Sequence, residues 1–479
     1  MKPTQTSRIP HIAATVMAGC LLLAALDPRN LLAHTSTSGH PGMIDDPTYL
    51  PAGATTVVIT PNLTLFKDAL PVPQVLRPSR QTNGYRVPVD TNLHYAGPLD
   101  VYDIPMLETN HQFHTDLPPI KVWGYAGQYP GPTIEAKVGV PILVNWINQL
   151  TNNDGMYPYW LLADPLLFHQ GHTSSVPPQA IRTVVHLHGA AVLPRYDGYP
   201  TNWFLSGESD EYFYPNIDLN SDGQTLWYHD HAIGVTANNV YAGLAGFYLT
   251  RNEAYDAALG IRLPSAPYEI PLVFQDRDFA VTTWTNNGVV LVETNLCINQ
   301  VPPWHTYPVV NGKIAPYLPV EPRPYRFRIL NGTGFRSYAL QMLVTDAQGN
   351  VLTNAGTPPA PQFTVIGNED GYLHHATNVS RIATMPGERV DVVVDFSPYT
   401  NLAYPYITVV NAFGNGLGGT GADVVGPPFI TNLMQFRVNL PLSTAIPTTM
   451  NIPSPLVTNW VDTETMRSNA VRHRSIELD

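Results

Sequence analysis

Short apolar runs closed by proline and glycine constrain this chain more than any other feature. The 47 prolines and 35 glycines among its 479 residues are not gathered into one low-complexity tract. They stand between runs such as Thr133 to Val138, which alternates, and Pro141 to Asn148, Thr183 to Gly189, Thr225 to His231 and Ala245 to Thr250, which are rich in β-branched and aromatic residues. Runs of this length, bounded by turn formers, are strands rather than helices. The expected class is all-β, with only Asn238 to Leu244 offering a short helix.

A chain this long exceeds one ordinary core, and a second series of strands begins near Tyr268. Ile270 to Arg277, Tyr325 to Asn331, Arg389 to Phe396 and Met434 to Val438 belong to it. Tyr325 to Asn331 echoes Ile142 to Asn148, an alternating strand ending in asparagine, and the two asparagines are 183 residues apart. This spacing suggests one sandwich unit repeated. The expected divisions are a signal peptide over 1–33, an N-terminal arm over 34–60 with no clear period, a first domain over 61–255 and a second over 265–440. Residues 441–479 form a linker and the start of a third, with Arg474 to Leu478 as its first strand.

The signal rests on Lys2 and Arg8, followed by the apolar run Ala13 to Leu26. That run is shorter than the ~20 residues that span a bilayer, so a cleaved export signal fits better than an anchor. The expected location is secreted, periplasmic or at the cell envelope. If Cys20 leaves with the signal, Cys297 has no partner for a disulfide and reads as a small buried residue. The formal charge of −12 argues against a nucleic-acid partner, since phosphate binding needs a basic surface.

The chemistry concentrates in two histidine pairs. His186 and His188 are one residue apart on a strand, so both rings share a face, and His229 and His231 repeat the spacing. Strands facing each other would bring four imidazoles together. Imidazole serves zinc, copper, iron and nickel alike, so residue type alone does not name the metal. Among the other histidines, His111 and His114 lie in an irregular segment, His169 and His172 in a proline-rich loop, and the adjacent His374 and His375 would face opposite ways on a strand.

Val185-His186-Leu187-His188-Gly189 and Trp227-Tyr228-His229-Asp230-His231 resemble the first two copper motifs of multicopper oxidases, closest to the bacterial spore-coat laccase and bilirubin oxidase group. Lys67-Asp68-Ala69-Leu70-Pro71, Pro130-Gly131-Pro132-Thr133, Asp197-Gly198-Tyr199-Pro200 and Tyr325-Arg326-Phe327-Arg328 extend the resemblance over about residues 60 to 440. It implies cupredoxin-like (plastocyanin-like) Greek-key β-sandwich domains, two here and the first strand of a third. It also implies oxidation of phenolic, aromatic or metal-ion substrates with reduction of O2 to water. Carried over by motif, His186 would bind a type 2 copper, and His188, His229 and His231 a type 3 pair. Asp197 would lie beside the type 2 copper and assist proton delivery, although a residue before Gly198 also reads as a plain turn former.

The family's type 1 copper needs a cysteine between histidines, and no His-Cys-His occurs in the sequence. The expectation is half of a trinuclear site, inactive alone, with the facing ligands on a third domain or a separate chain. Two other readings stand beside it. One is a non-enzymatic copper-binding or coat or envelope module. The other is a zinc hydrolase, for which Asp230 is the only carboxylate within the motifs, on the opposite strand face from His229 and His231.

Overall fold

The computed structural model describes residues 54–86, 94–150, 180–217, 222–286, 288–297, 306–369, 371–400, 404–413 and 430–458. The expected export segment, His169 and His172, and the Arg474 to Leu478 strand lie outside the described residues.

Apolar alternation forces the strands into layers. In the first unit, Ser209–Tyr214, Ile142–Asn148, His94–His111 and Arg80–Arg86 form one sheet in that order, and Ile120–Tyr125 also pairs with His94–His111. The opposing sheet runs Gly131–Lys137, Ala245–Arg251, Thr225–Asp230, Val185–His188. Ile104, Val144, Trp146, Val185, Leu187 and Tyr228 fill the space between them. In the second unit, a nine-stranded sheet built on Glu269–Asn286 and Pro324–Asn331 packs on a five-stranded sheet containing Tyr338–Thr345, Tyr406–Asn411 and Asn432–Val438. Ile270, Leu272, Phe327, Ile329, Leu340, Met342, Val392 and Phe436 form that core.

The echo between the two asparagine-ended strands is structural. Each of these strands is parallel to an 18-residue strand, His94–His111 or Glu269–Asn286. The Asn148 side-chain amide donates to Phe204 O, and its Oδ1 accepts the Leu150 N–H. Asn331 donates likewise to Thr384 O, and its Oδ1 accepts the Thr333 N–H. The backbone of Asn148 bonds Gly207 and Glu208, and that of Asn331 bonds Gly387 and Glu388. In each bend the glutamate carboxylate accepts an N–H three residues earlier, from Leu205 or Met385.

Three segments depart from the sequence expectation. Within the supposed arm over 34–60, Thr55–Ile59 is a strand, paired antiparallel with Phe279–Thr283 of the long Glu269–Asn286 strand. Its five residues are too few to show a period, and the partner edge supplies the order. Glu253–Leu259 is a helix that was not expected, capped by the Asn252 side chain and ended by Gly260 at φ +66°. The supposed linker is anchored as far as it is described: Asn451 and Arg262 exchange backbone hydrogen bonds, and Leu456 and Val457 are buried.

The units also interlock. Phe279, Leu296, Tyr307 and Ile314, from the second half of the chain, sit in the first unit's core. Trp227, Phe247 and Leu249 of the first unit meet Val273 and Leu330 of the second. Below that contact, Arg251, Arg326 and Arg328 surround the buried carboxylate of Glu269.

Candidate metal centre

Because Val185, Leu187, Leu226 and Tyr228 point into the first core, period 2 turns His186, His188, Trp227 and His229 to the outer face of the same sheet. The histidine strands come together within one sheet. They are antiparallel neighbours, with His186 opposite His229 and His188 opposite Trp227. His231 follows the strand end, where its N–H bonds Val184 O. The ring of His186 lies 5.5 Å from those of His188 and His229 and 5.2 Å from that of His231. One ring nitrogen each of His186, His188 and His229 falls within a 4.8 Å set, the only such cluster among the described residues.

Backbone carbonyls fix two of these rings. His186 Nδ1–H donates to Asp197 O at 2.5 Å, and His229 Nδ1–H donates to Asp230 O at 2.7 Å. A carbonyl only accepts, so in the neutral rings both Nε2 atoms carry lone pairs. His188 Nδ1 lies 3.3 Å from His229 Nε2. His231 Nδ1 is buried with no hydrogen-bond partner. Burial lowers the pKa of His186, and with Arg389 and the neighbouring rings it lowers that of His188 to about 4. Burial likewise holds His229 well below the usual histidine range, so all three rings are neutral near pH 7.

Asp197 and Asp230 do different things. Asp197 follows the 3-10 turn Pro194–Tyr196, and its half-exposed carboxylate lies 3.4 Å from His186 Nδ1. Asp197 thus belongs to a turn, and its carboxylate lies against the His186 ring. Gly198 makes the approach feasible, since at φ +75° a Cβ there would lie 2.2 Å from Val185 O. Asp230 is fully buried on the opposite face and accepts from Val184 N, Ala232 N and the Asn239 amide. Burial pushes its pKa up to about 7 against those bonds. It ties the two motifs together and is turned away from the ring cluster, so Asp230 is not placed to act as the base of a zinc hydrolase.

Sequence reasoning missed what the second unit brings. A Cβ on Gly387 would lie 3.4 Å from the His188 ring, and one on Gly189 would lie 2.5 Å from the Arg389 guanidinium. Arg389 is buried and donates to Thr225 O at the start of the His229 strand. The only signal was the Pro-Gly-Glu bend at 386–388, the counterpart of Ser206-Gly207-Glu208. Trp227 was also missed, although period 2 from His229 puts it on the same face.

The other histidines whose side chains are described stay apart. His114 is buried between Thr64 O and the Asp116 N–H, and His111 donates to Gly312 O. The rings of His374 and His375 are 4.0 Å apart rather than on opposite faces, because the ladder slips between Val365 and Gly367 and the facing strand bulges at the pair.

A family model described as multicopper oxidase matches residues 108–157 and 179–254. A laccase of Bacillus subtilis (strain 168) is 34% identical over 394 residues, which is 79% of this chain and 66% of that protein. A laccase of Bacillus stratosphericus is 36% identical over 395 residues, 80% of this chain and 67% of that protein. The chain thus spans about two thirds of the length of these curated relatives. The crystal structure of the McoA multicopper oxidase of Aquifex aeolicus shares the cupredoxin-like fold, with a TM-score of 0.57 at 23% identity over 84% of this chain and 70% of that one. With these motifs on one sheet face and this likeness along most of its length, the chain belongs to the multicopper oxidase family.

Proposed function

We propose that these residues form one side of the trinuclear copper site of a laccase-like oxidase, with His186 a ligand of a type 2 copper and His188, His229 and His231 ligands of a type 3 pair. The observation that carries this reading is the ring cluster, in which carbonyl anchors at Nδ1 leave the Nε2 lone pairs of His186 and His229 on the side away from those carbonyls, where a metal could take them. The buried, unpartnered Nδ1 of His231 fits the same chemistry, as does an all-imidazole donor set. Copper bound there would supply one-electron redox chemistry for reducing O2 to water with four electrons and four protons. The chain's own residues keep the His186, His188 and His229 rings neutral and orient two of them through backbone carbonyls. Asp197, half exposed and against His186, would hand protons from solvent toward the site.

The facing ligands and the type 1 copper belong, in this reading, to a third cupredoxin-like domain, in the same polypeptide or a separate chain. Electrons from phenolic, aromatic or metal-ion substrates would enter there. The domain limits 61–255 and 265–440 and an export signal over 1–33, with a secreted or periplasmic location, complete the proposal. The 479 residues alone should bind copper without turning over substrate. Copper stoichiometry of the wild type and of His186→Ala, with oxygen uptake on a phenolic substrate, checks both halves. Copper binding untouched by His186→Ala would remove the ligand assignment, and oxygen uptake by this chain would remove the claim of inactivity.

A further inference from the structure

The outer face of the paired histidine strands is a two-by-two grid in which three corners are imidazoles and the fourth is the indole of Trp227. Indole offers only an N–H donor, so Trp227 cannot be a ligand. Its ring lies 4.1 Å from that of His229 at 27°, and 5.3 Å from that of His188 at 28°, close to parallel with both. Its Nε1 is buried and unpartnered, so no hydrogen bond accounts for a tryptophan there. Phe247, Leu249, Val273 and Leu330 pack with the indole, which is 5% exposed, and a Cβ on Gly387 would lie 3.9 Å from its Cζ2. The indole is held from behind while its face meets the rings.

His188 is the ring that needs such help. His186 and His229 each have a carbonyl anchor, whereas among the described residues His188 has a ring hydrogen bond only to another imidazole. We infer that Trp227 is a positioning residue of the metal site: its plane sets the rotation of the His188 and His229 rings and closes that side of the cluster. This rests on the copper-site reading above.

The test uses the full chain as wild type, Trp227→Phe, Trp227→Leu and His186→Ala. Copper affinity is read by chelator competition and indole emission by titration with copper. Copper should quench an emission component that Trp227→Phe lacks. Trp227→Phe keeps a flat ring and should bind within about threefold of wild type, while Trp227→Leu should bind roughly tenfold more weakly or worse, the range for residues that orient metal ligands. Equal affinity in Trp227→Leu, or a loss in Trp227→Phe as large as in Trp227→Leu, overturns the inference. Should Trp227→Leu not fold, the emission titration decides, because copper that quenches nothing specific to Trp227 overturns it too. Failure of the wild type to bind copper removes the copper reading and this inference together. Binding that depends on His186 but is indifferent to position 227 removes this inference alone.

Discussion

The two sandwich units share a frame and differ in what they place on one face. In the first, the Val185–His188 and Thr225–Asp230 strands carry imidazoles outward. In the second, the similarly placed pair Tyr338–Thr345 and Tyr406–Asn411 points Leu340, Met342, Ile407 and Val409 inward. It closes its other side with Thr345 bonded to Thr408, and with Gln435. Asparagine clasps, glutamate bends and long parallel strands recur in both, so they belong to the fold. The histidines occur once, so the fold does not require them. The second unit instead contributes rigidity: Arg389 and Gly387 press against the histidine motifs, and Arg326 and Arg328 meet Arg251 of the first unit around Glu269.

That division is broken most severely at Glu269. Burial alone would raise its pKa, but Arg328, Arg326 and Arg251 hold it at about 2. A lowered carboxylate pKa stabilises the fold above the unfolded value of about 4.5, and that contribution is lost as pH falls toward 2. Glu269→Ala should cost about 3 kcal/mol in chemical denaturation at pH 7, since it removes the carboxylate shared by three guanidinium groups and leaves only Asp391 and Glu135 to balance them. The wild type should lose about 3 kcal/mol between pH 4.5 and 2, a loss absent from the variant. A flat acid profile for the wild type would show that the units are not joined there. The asparagine clasps come next. Asn331 makes more side-chain hydrogen bonds than Asn148, donating also to Arg336 O and accepting also from the Thr333 hydroxyl. Asn331→Ala should therefore cost about 3 kcal/mol and Asn148→Ala about 2. The reverse order would mean that the repeat is one of sequence more than of energetics.

A smaller effect separates fold from site within one unit. Gly198 and Gly207 both have positive φ, at +75° and +87°, but only Gly198 faces a neighbour, Val185 O, within 4 Å of a Cβ. Gly207→Ala should cost about 1 kcal/mol of backbone strain and leave copper affinity alone. Gly198→Ala should add a steric cost, push Asp197 O away from His186 and weaken copper roughly tenfold. Equal copper affinity in the two variants would detach Asp197 from the site.

What the sequence made legible followed from periodicity and what it hid followed from contacts. Period 2 puts His186 and His188 on one face of their strand and pairs His229 with His231 on another, and motif likeness names the family. The asparagine echo correctly pairs Ile142–Asn148 with Pro324–Asn331. No periodic signal places the histidine strands side by side in one sheet, because register between distant strands is set by the packing of Leu187 and Tyr228 below them. Thr55–Ile59 was hidden because its order comes from an edge more than 200 residues away, and Arg389 because its role is visible only where the second unit touches the first. The His374–His375 expectation failed for want of a bulge, which no two-residue pattern reports.

The last contrast is in proton competition. Metal binding needs neutral imidazole, and exposed histidine titrates near 6.5. In His188, burial first, then Arg389 and the other rings, take the pKa to about 4, and burial lowers His186 and His229 as well. Lowered values mean that protons displace copper only at lower pH, so copper should stay bound as pH falls from 7 through the ordinary histidine range and leave only as pH nears about 4, the His188 value. The smallest effect sharpens the role of the second unit. Arg389→Gln removes a cation that opposes protonation of His188, so the release midpoint should move upward by a fraction of a pH unit, read by equilibrium dialysis against buffered copper. A wild-type midpoint near 6.5 would mean that the rings are not shielded as their burial requires. An unchanged midpoint in Arg389→Gln would confine the second unit to holding the strands in place.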